Sequence, residues 1–370
     1  MTRAQAYSFI AKVLSQKSDP GFGLTISFPP PDNKQAWQMV VKTASDNLVL
    51  PAFYHIIHQK RLLHLLPDDL AGWISNIYQL NLERNTKILS ESLAVNQLLV
   101  QNQLPCIFMK GVANLLDGLY DGAGERMVYD IDILVGQDQM ISAAKILESN
   151  GYYPIKRFNA KSLASTMHYP LLVREGSVAG VEIHRMPTQY HYMKTISNDE
   201  IFNESMVVKM DIECRIMGIR HRIIHNFIHT QLMHNGHNHA NIALRDLYDL
   251  WLLGHSYPVS QAFDSLLYYR RHASAYLDLM HNVFGEDKSR GHKLPFHGIS
   301  LRWRHRRVLR MSDSIRRFYH SLFLVLQKYF ILPVRILWSP VARNYVFSRL
   351  LDRQWYALHY KGMTKIIFKK

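Results

Sequence analysis

Tyr129-Asp130-Ile131-Asp132-Ile133-Leu134-Val135 sets two carboxylates two residues apart inside a segment that otherwise reads as a buried strand. Side chains alternate across a strand, so Asp130 and Asp132 share one face while Ile131, Ile133 and Val135 take the other. Two like charges so placed repel by ~1 kcal/mol in water, and by roughly 3–4 kcal/mol at an effective dielectric near 20. A divalent cation held by oxygen ligands offsets such a repulsion, and Mg²⁺ is the usual choice where phosphates are handled. A solvated strand edge is the plainer reading of the same pattern.

The neighbouring segments add to the first reading. Cys106-Ile107-Phe108-Met109 is a short apolar run ending at Lys110-Gly111, and Val112 to Tyr120 has helical apolar spacing. Asp121-Gly122-Ala123-Gly124 is a turn, and Gln139 to Asn150 reads as an amphipathic helix closed by Gly151. Tyr169 to Arg174 and Val178 to Met186 read as two strands joined at Glu175-Gly176. The expected order is β-α-β-α-β-β, the first two strands parallel through a crossover helix and the last two a hairpin. Such a unit can bring Glu182, in Val181-Glu182-Ile183-His184, beside the aspartate pair as a third carboxylate. His184 falls on the same face, where it orients a carboxylate, meets substrate, or packs in the core. Lys110-Gly111 stands where a strand hands over to a helix, a place where backbone N–H groups and a lysine can receive phosphate; Arg126 offers a second cation from the loop.

The flanks read as helical. Leu48, Phe53, Ile56 and Ile57, and then Ile74 through Leu99, keep helical spacing and suit a packing layer. Residues 200–290 return to helix, most clearly over Ile216–Met233 and Ile242–Leu253. His221, His225 and His229 repeat every four residues, but no glutamate follows the first, so this is no His-Glu-x-x-His zinc motif and packing histidines are the default. His234, His237 and His239 read as a polar loop. Asp246 and Asp249 lie three apart on a helix, to pair with Arg245 or, for Asp249, to face a cleft.

Two cysteines, Cys106 and Cys214, exclude a disulfide framework and a Cys-type zinc site and suit a reducing cytoplasm; Met1 to Ser15 lacks the apolar core of a signal peptide. The net charge of +15 is concentrated. Residues 291–370 hold 17 Lys and Arg against Asp313 and Asp352, leaving 27 bases and 27 acids in the rest. Ser321 to Val334 is the most apolar part of this tail, but Lys328 and Pro333 interrupt it, and it falls short of the roughly 20 apolar residues a spanning helix needs. Trp303, Phe323, Tyr329, Phe330, Trp338 and Trp355 interleave with arginines. The tail therefore reads as a solvated helical face, an anionic membrane surface contact, or a nucleic-acid contact, with the membrane placed ahead of nucleic acid.

Taken together, Phe108-Met109-Lys110-Gly111, Tyr120, Arg126, Asp130-Ile131-Asp132-Ile133-Leu134-Val135, Gly151-Tyr152 and Val181-Glu182-Ile183-His184 resemble the uncharacterised nucleotidyltransferase family of bacteria, within the polymerase-beta-like superfamily. His229, His234, Leu244-Arg245-Asp246 and Asp249 are similar to a pattern in that family's helical half, so the resemblance spans roughly residues 100–255. It implies that Asp130, Asp132 and Glu182 bind Mg²⁺ and carry catalysis, with Lys110, Gly111, Arg126 and His184 around a nucleoside triphosphate. The superfamily's second small residue after the glycine is Val112 here, so a hydroxyl that helps hold the triphosphate is missing.

The expected fold is α+β: a small mixed-sheet nucleotidyltransferase core flanked by helical regions. Its expected divisions are an N-terminal helical region (1–100), the core (101–190), a helical domain (191–290) and a basic aromatic-rich extension (291–370). The expected protein is a cytoplasmic, Mg²⁺-dependent enzyme, peripheral at the membrane if the tail docks there. It would transfer a nucleoside monophosphate to an acceptor hydroxyl that the sequence does not specify. The competing classes are an inactive protein that keeps the fold for regulation or binding, and a nucleic-acid-binding protein acting through the tail.

Overall fold

The computed structural model describes residues 1–18, 26–158, 166–209, 212–285 and 296–337, together with Arg343, Val346 and Phe347. The chain divides into two compact units, one of residues 1–156 and 168–310, the other of residues 157–167 and 311–370.

The first unit is built on a mixed sheet. Its strands are β1 (Ile107–Phe108), β2 (Asp130–Leu134), β3 (Tyr153–Pro154), β4 (Leu172–Val173), β5 (Gly180–His184), β6 (Met206–Lys209) and β7 (Glu213–Ile216). They lie in the order β3-β4-β5-β2-β1-β7-β6. Ile131, Ile133, Val181 and Ile183, on the inner face of the two central strands, are fully buried, which fixes the register because a one-residue slip would swap the whole set with the face that carries the acids. β2 and β5 run parallel, with Asp130 beside Gly180, Asp132 beside Glu182 and Leu134 beside His184. β4 and β5 form the expected antiparallel pair through Leu172 and Val181.

The sequence reading lacks β3, and two further features differ from it. β1 is antiparallel to β2 and parallel to β7. The helix after β1, α5 (Lys110–Leu116), is seven residues long, only about 10 Å, too short to return the chain along the sheet for a parallel crossover. The β6–β7 hairpin also lies in a stretch that reads as helical. Its alternation lasts four residues per strand and runs straight into the apolar pattern of the next helix, so the short period is masked.

On the N-terminal side lie α1 (Arg3–Ser15), opened by a Thr2–Gln5 capping box, α2 (Lys34–Asp46), α3 (Leu50–Gln59), with Pro51 in its first turn, and α4 (Asp68–Gln101). α4 is 34 residues long and packs on α3, α5 and α6 (Met140–Ser149). Its buried stripe contains Ile74, Ile88, Val95 and Leu99 but also Asn81, Asn85 and Asn96. α7 (Asn198–Asn203) lies between β5 and β6, and after the sheet come α8 (Ile219–Phe227), a π-helical turn (Ile228–Met233), α9 (Gly236–His239), α10 (Leu244–Ser256), α11 (Val259–Phe263), α12 (Arg270–Phe284) and α13 (Phe296–Arg310). α10 packs on α8, while α12 and α13 close against each other and α1.

In the second unit, α14 (Asp313–Leu326) continues through a π-helical turn (Gln327–Ile331) into α15 (Leu332–Ile336). Trp338 and Trp355 lie outside the described residues. Among the described residues, no helix is long and apolar enough to cross a membrane.

Candidate active site

The β2–β5 register decides where the acids meet. Asp132 is buried and Glu182 half-buried beside it. His184, one pleat further along β5, is fully buried and lies with its Nε2 2.9 Å from Asp132 Oδ1 and 3.4 Å from Glu182 Oε2. Ligand atoms of Asp132, Glu182 and His184 all fall within 4.8 Å of one another. Asp130 stands one pleat before Asp132 on the same face, beside Gly180, and does not join that close group.

Lys110 supplies the cation. It occupies the left-handed region, φ 51, which side-chain-bearing residues seldom adopt. Met109 donates its N–H to the Asp132 carbonyl at 3.0 Å, so the chain turns into α5 directly over the acids. The Lys110 ammonium then donates to Asp132 Oδ1 at 2.5 Å and lies 4.0 Å from Glu182.

The charges balance unevenly. Burial alone would raise Asp132, but the Lys110 ammonium and the His184 hydrogen bond hold it well below the usual carboxylate range. The hydrogen bond from His184 likewise holds Glu182 down against burial. Burial opposes the Lys110 charge, yet Asp132, Asp130 and Glu182 together raise its pKa. At Asp130 burial and the adjacent Asp132 outweigh the Lys110 and Arg126 charges and push the pKa up to about 6. Three carboxylates thus share one ammonium. Oxygen donors in excess of their counter-charge, converging on one face, fit a hard divalent cation such as Mg²⁺, with His184 fixing the carboxylates from the side.

Arg126 goes elsewhere. Its guanidinium is buried and grips Asp249 of α10 bidentately, with Nε 3.0 Å and Nη2 2.7 Å from Oδ2. Tyr120 donates its hydroxyl to the same carboxylate. Asp249 therefore ties the helical half to the loop before β2, and a β-carbon on Gly111 would collide with Arg126 Nη1. The glycine is required sterically, to let that guanidinium pass under the β1–α5 turn.

The loop 121–129 is also held from the other side. Asn81 donates to the Gly124 and Arg126 carbonyls at 2.7 and 3.1 Å, and Asn85 to those of Ala123 and Arg126 at 2.5 and 2.7 Å. Arg84 donates to the Val128 carbonyl. These α4 residues escape sequence reasoning, although asparagines spaced i, i+4 within an apolar helical stripe are the signal that would find them.

The histidine row is partly drawn in. His225 donates from Nε2 to the Pro187 carbonyl at 2.9 Å. It stacks on His229, whose ring lies 4.1 Å from that of His234. Burial, and then the Lys110 charge, push His225 down to about 4 and His229 well below its ordinary value. Neutral imidazoles thus stand near the lysine, His225 on the last turn of α8 and His229 on the π-helical turn that follows, a feature that recurs at functional sites. His221 lies apart, 3.7 Å from Glu204. A second group, His55, Asp121 and Glu125, also has metal-ligating atoms close together, and there too a lysine lies alongside, the Lys17 ammonium 3.3 Å from Asp121 and 3.8 Å from Glu125.

The family whose model describes an uncharacterised nucleotidyltransferase matches residues 33–273, nearly two thirds of the chain. The protein belongs to that family. The match takes in α2 through α11, the first turn of α12 and every strand of the sheet. It is wider than the motifs over 100–255 that carry the resemblance in sequence. Membership in the nucleotidyltransferase family supports nucleotidyl transfer as the general chemistry. No curated protein matches the sequence.

Proposed function

We propose that the protein is a Mg²⁺-dependent nucleotidyltransferase that moves a nucleoside monophosphate from a nucleoside triphosphate to an acceptor hydroxyl. The observation that carries this reading is the pairing of Asp132 with Glu182 on adjacent parallel strands, with Asp130 on the same face. Asp130, Asp132 and Glu182 would hold the metal. Bound Mg²⁺ supplies positive charge to the triphosphate and to the charge that builds on it as the bond to the leaving group lengthens.

The chain's own residues do the rest. Lys110 and Gly111, at the turn above the acids, receive phosphate oxygens. Arg126 holds that turn from below through Asp249. His184 keeps Asp132 and Glu182 in place by donating from Nε2. The acceptor oxygen bonds to the α-phosphorus as the bond to the β-phosphate oxygen breaks. Pyrophosphate leaves, and Glu182 takes the hydroxyl proton.

Titration calorimetry with Mg²⁺ and each nucleoside triphosphate tests the site. Wild-type protein should bind one or more of them only with the metal, and Asp130→Asn with Asp132→Asn should abolish the binding while circular dichroism stays unchanged. Binding that survives the double replacement would remove the metal-site claim. A protein that binds but releases no pyrophosphate when offered cell extract would be the inactive relative.

A further inference from the structure

The second unit presents a long helical surface that the transferase site does not use. None of the described side chains from Asp313 to Leu337 is buried. Ile315, Phe318, Leu322, Leu326, Tyr329 and Phe330 are exposed, Phe318 to 70% and Phe330 to 65%. At 100° per residue these positions fall within an arc of roughly 120°. Arg316, Arg317 and His320 lie outside that arc. The stripe runs along α14 into the π-helical turn, a length of roughly 23 Å. An apolar face that long and continuous, left to water, marks a surface with a partner.

Charge chooses the partner. Residues 291–370 carry 17 bases and two acids while the rest of the chain is neutral. A second copy seated on the stripe would bring two such segments together against their mutual repulsion. Nucleic acid would satisfy the cations but offers a row of isoleucine, leucine and phenylalanine nothing apolar to enter. An anionic lipid surface satisfies both: acyl chains for the stripe and phosphate headgroups for the bases. The helix lies on the membrane and does not cross it, since it is neither long nor apolar enough.

We infer that residues 313–337 form an amphipathic helix that docks in the plane of an anionic membrane, burying Ile315, Phe318, Leu322, Leu326 and Phe330 at the headgroup–acyl boundary. The enzyme would then work on an acceptor at that surface.

Flotation of the full chain with phosphatidylcholine vesicles, with and without phosphatidylglycerol, tests this. The wild type should float with the anionic vesicles and not with the neutral ones, and added salt should weaken the recovery. Phe318→Ser with Leu322→Ser should lower the apparent affinity by about tenfold or more, and Leu326→Ser with Phe330→Ser should do the same. These side chains are already exposed, so the circular dichroism should not change. Equal recovery of both variants would overturn the inference. So would variants that convert a sedimenting dimer to monomer, which would make the stripe a seam between copies. A gel shift on nucleic acid that both variants abolish would overturn it as well. Flotation does not depend on nucleotide, so failure here leaves the transferase reading standing, and failure of calorimetry leaves this one.

Discussion

Asp132 and Glu182 stand side by side on parallel strands and share one imidazole, His184 Nε2 lying 2.9 Å from the first and 3.4 Å from the second. One donor cannot satisfy two carboxylates, and the Lys110 ammonium makes up only part of the difference, at 2.5 Å from Asp132 and 4.0 Å from Glu182. A sheet that concentrates acids at its centre and leaves them short of counter-charge departs from what packing alone would select. Such departures gather at functional sites.

Arg126–Asp249 is a scaffold link between two buried residues. Asp249→Asn leaves a guanidinium in the interior without its counter-charge, and turns one of the two oxygens that Arg126 and Tyr120 share into an amide donor. The expected loss is roughly 3–5 kcal/mol in urea unfolding, and Arg126→Met with Asp249→Leu should recover most of it. A single replacement costing under about 1 kcal/mol would show that the pair does not hold the two halves together.

Asn85 is fully buried and its amide serves the carbonyls of Ala123 and Arg126. Asn85→Leu keeps the volume but takes the side-chain donor from the Ala123 carbonyl and leaves that of Arg126 to Asn81, for a cost of about 1–3 kcal/mol. Because those carbonyls lie in the loop that enters β2, hydrogen exchange at residues 123–129 should quicken in the variant. Unchanged exchange would mean that Asn81, Arg84 and the Arg126 pair hold the loop without it.

The central relationship was legible because a period-2 alternation carries its own geometry: Asp130 and Asp132 must share a face, and Glu182 must present its carboxylate in step with His184. What sequence could not supply was strand direction. The short α5 and the left-handed turn at Lys110 decide that β1 runs against β2, and neither leaves a composition signal. Arg126 shows a similar limit. Its charge suggests phosphate, but its fate depends on Asp249, more than a hundred residues away, which only the folded chain brings near. The role of Gly111 follows from that same meeting.

His305, buried in α13, donates from Nδ1 to the Ala240 carbonyl at 2.9 Å and meets Tyr7 edge-on. Burial pushes its pKa down from 6.5 to about 4, and Arg306 adds to the effect. The unfolded chain therefore takes up this proton first. Stability is complete above about pH 6.5, falls as pH drops from there toward 4, and levels off below, where the native imidazole also protonates. The loss from this group approaches about 3 kcal/mol. His305→Phe should flatten this part of the acid limb in denaturation measured from pH 7 to 4; an unaltered slope would assign the acid sensitivity to other groups.

Asp132 and Glu182 should separate stability from ligand binding. Asp132 is buried against both Lys110 and His184, so Asp132→Asn should cost about 2–3 kcal/mol in metal-free protein, where two donors lose their charged acceptor. Glu182 has its side chain 22% exposed and lies 4.0 Å from the lysine, so Glu182→Gln should stay within about 1 kcal/mol. Both variants should nevertheless lose Mg²⁺-dependent nucleoside triphosphate binding in calorimetry. If Glu182→Gln bound the metal–nucleotide pair as the wild type does, Glu182 would be a neighbour of the site and not one of its ligands, and the metal would rest on the β2 aspartates alone.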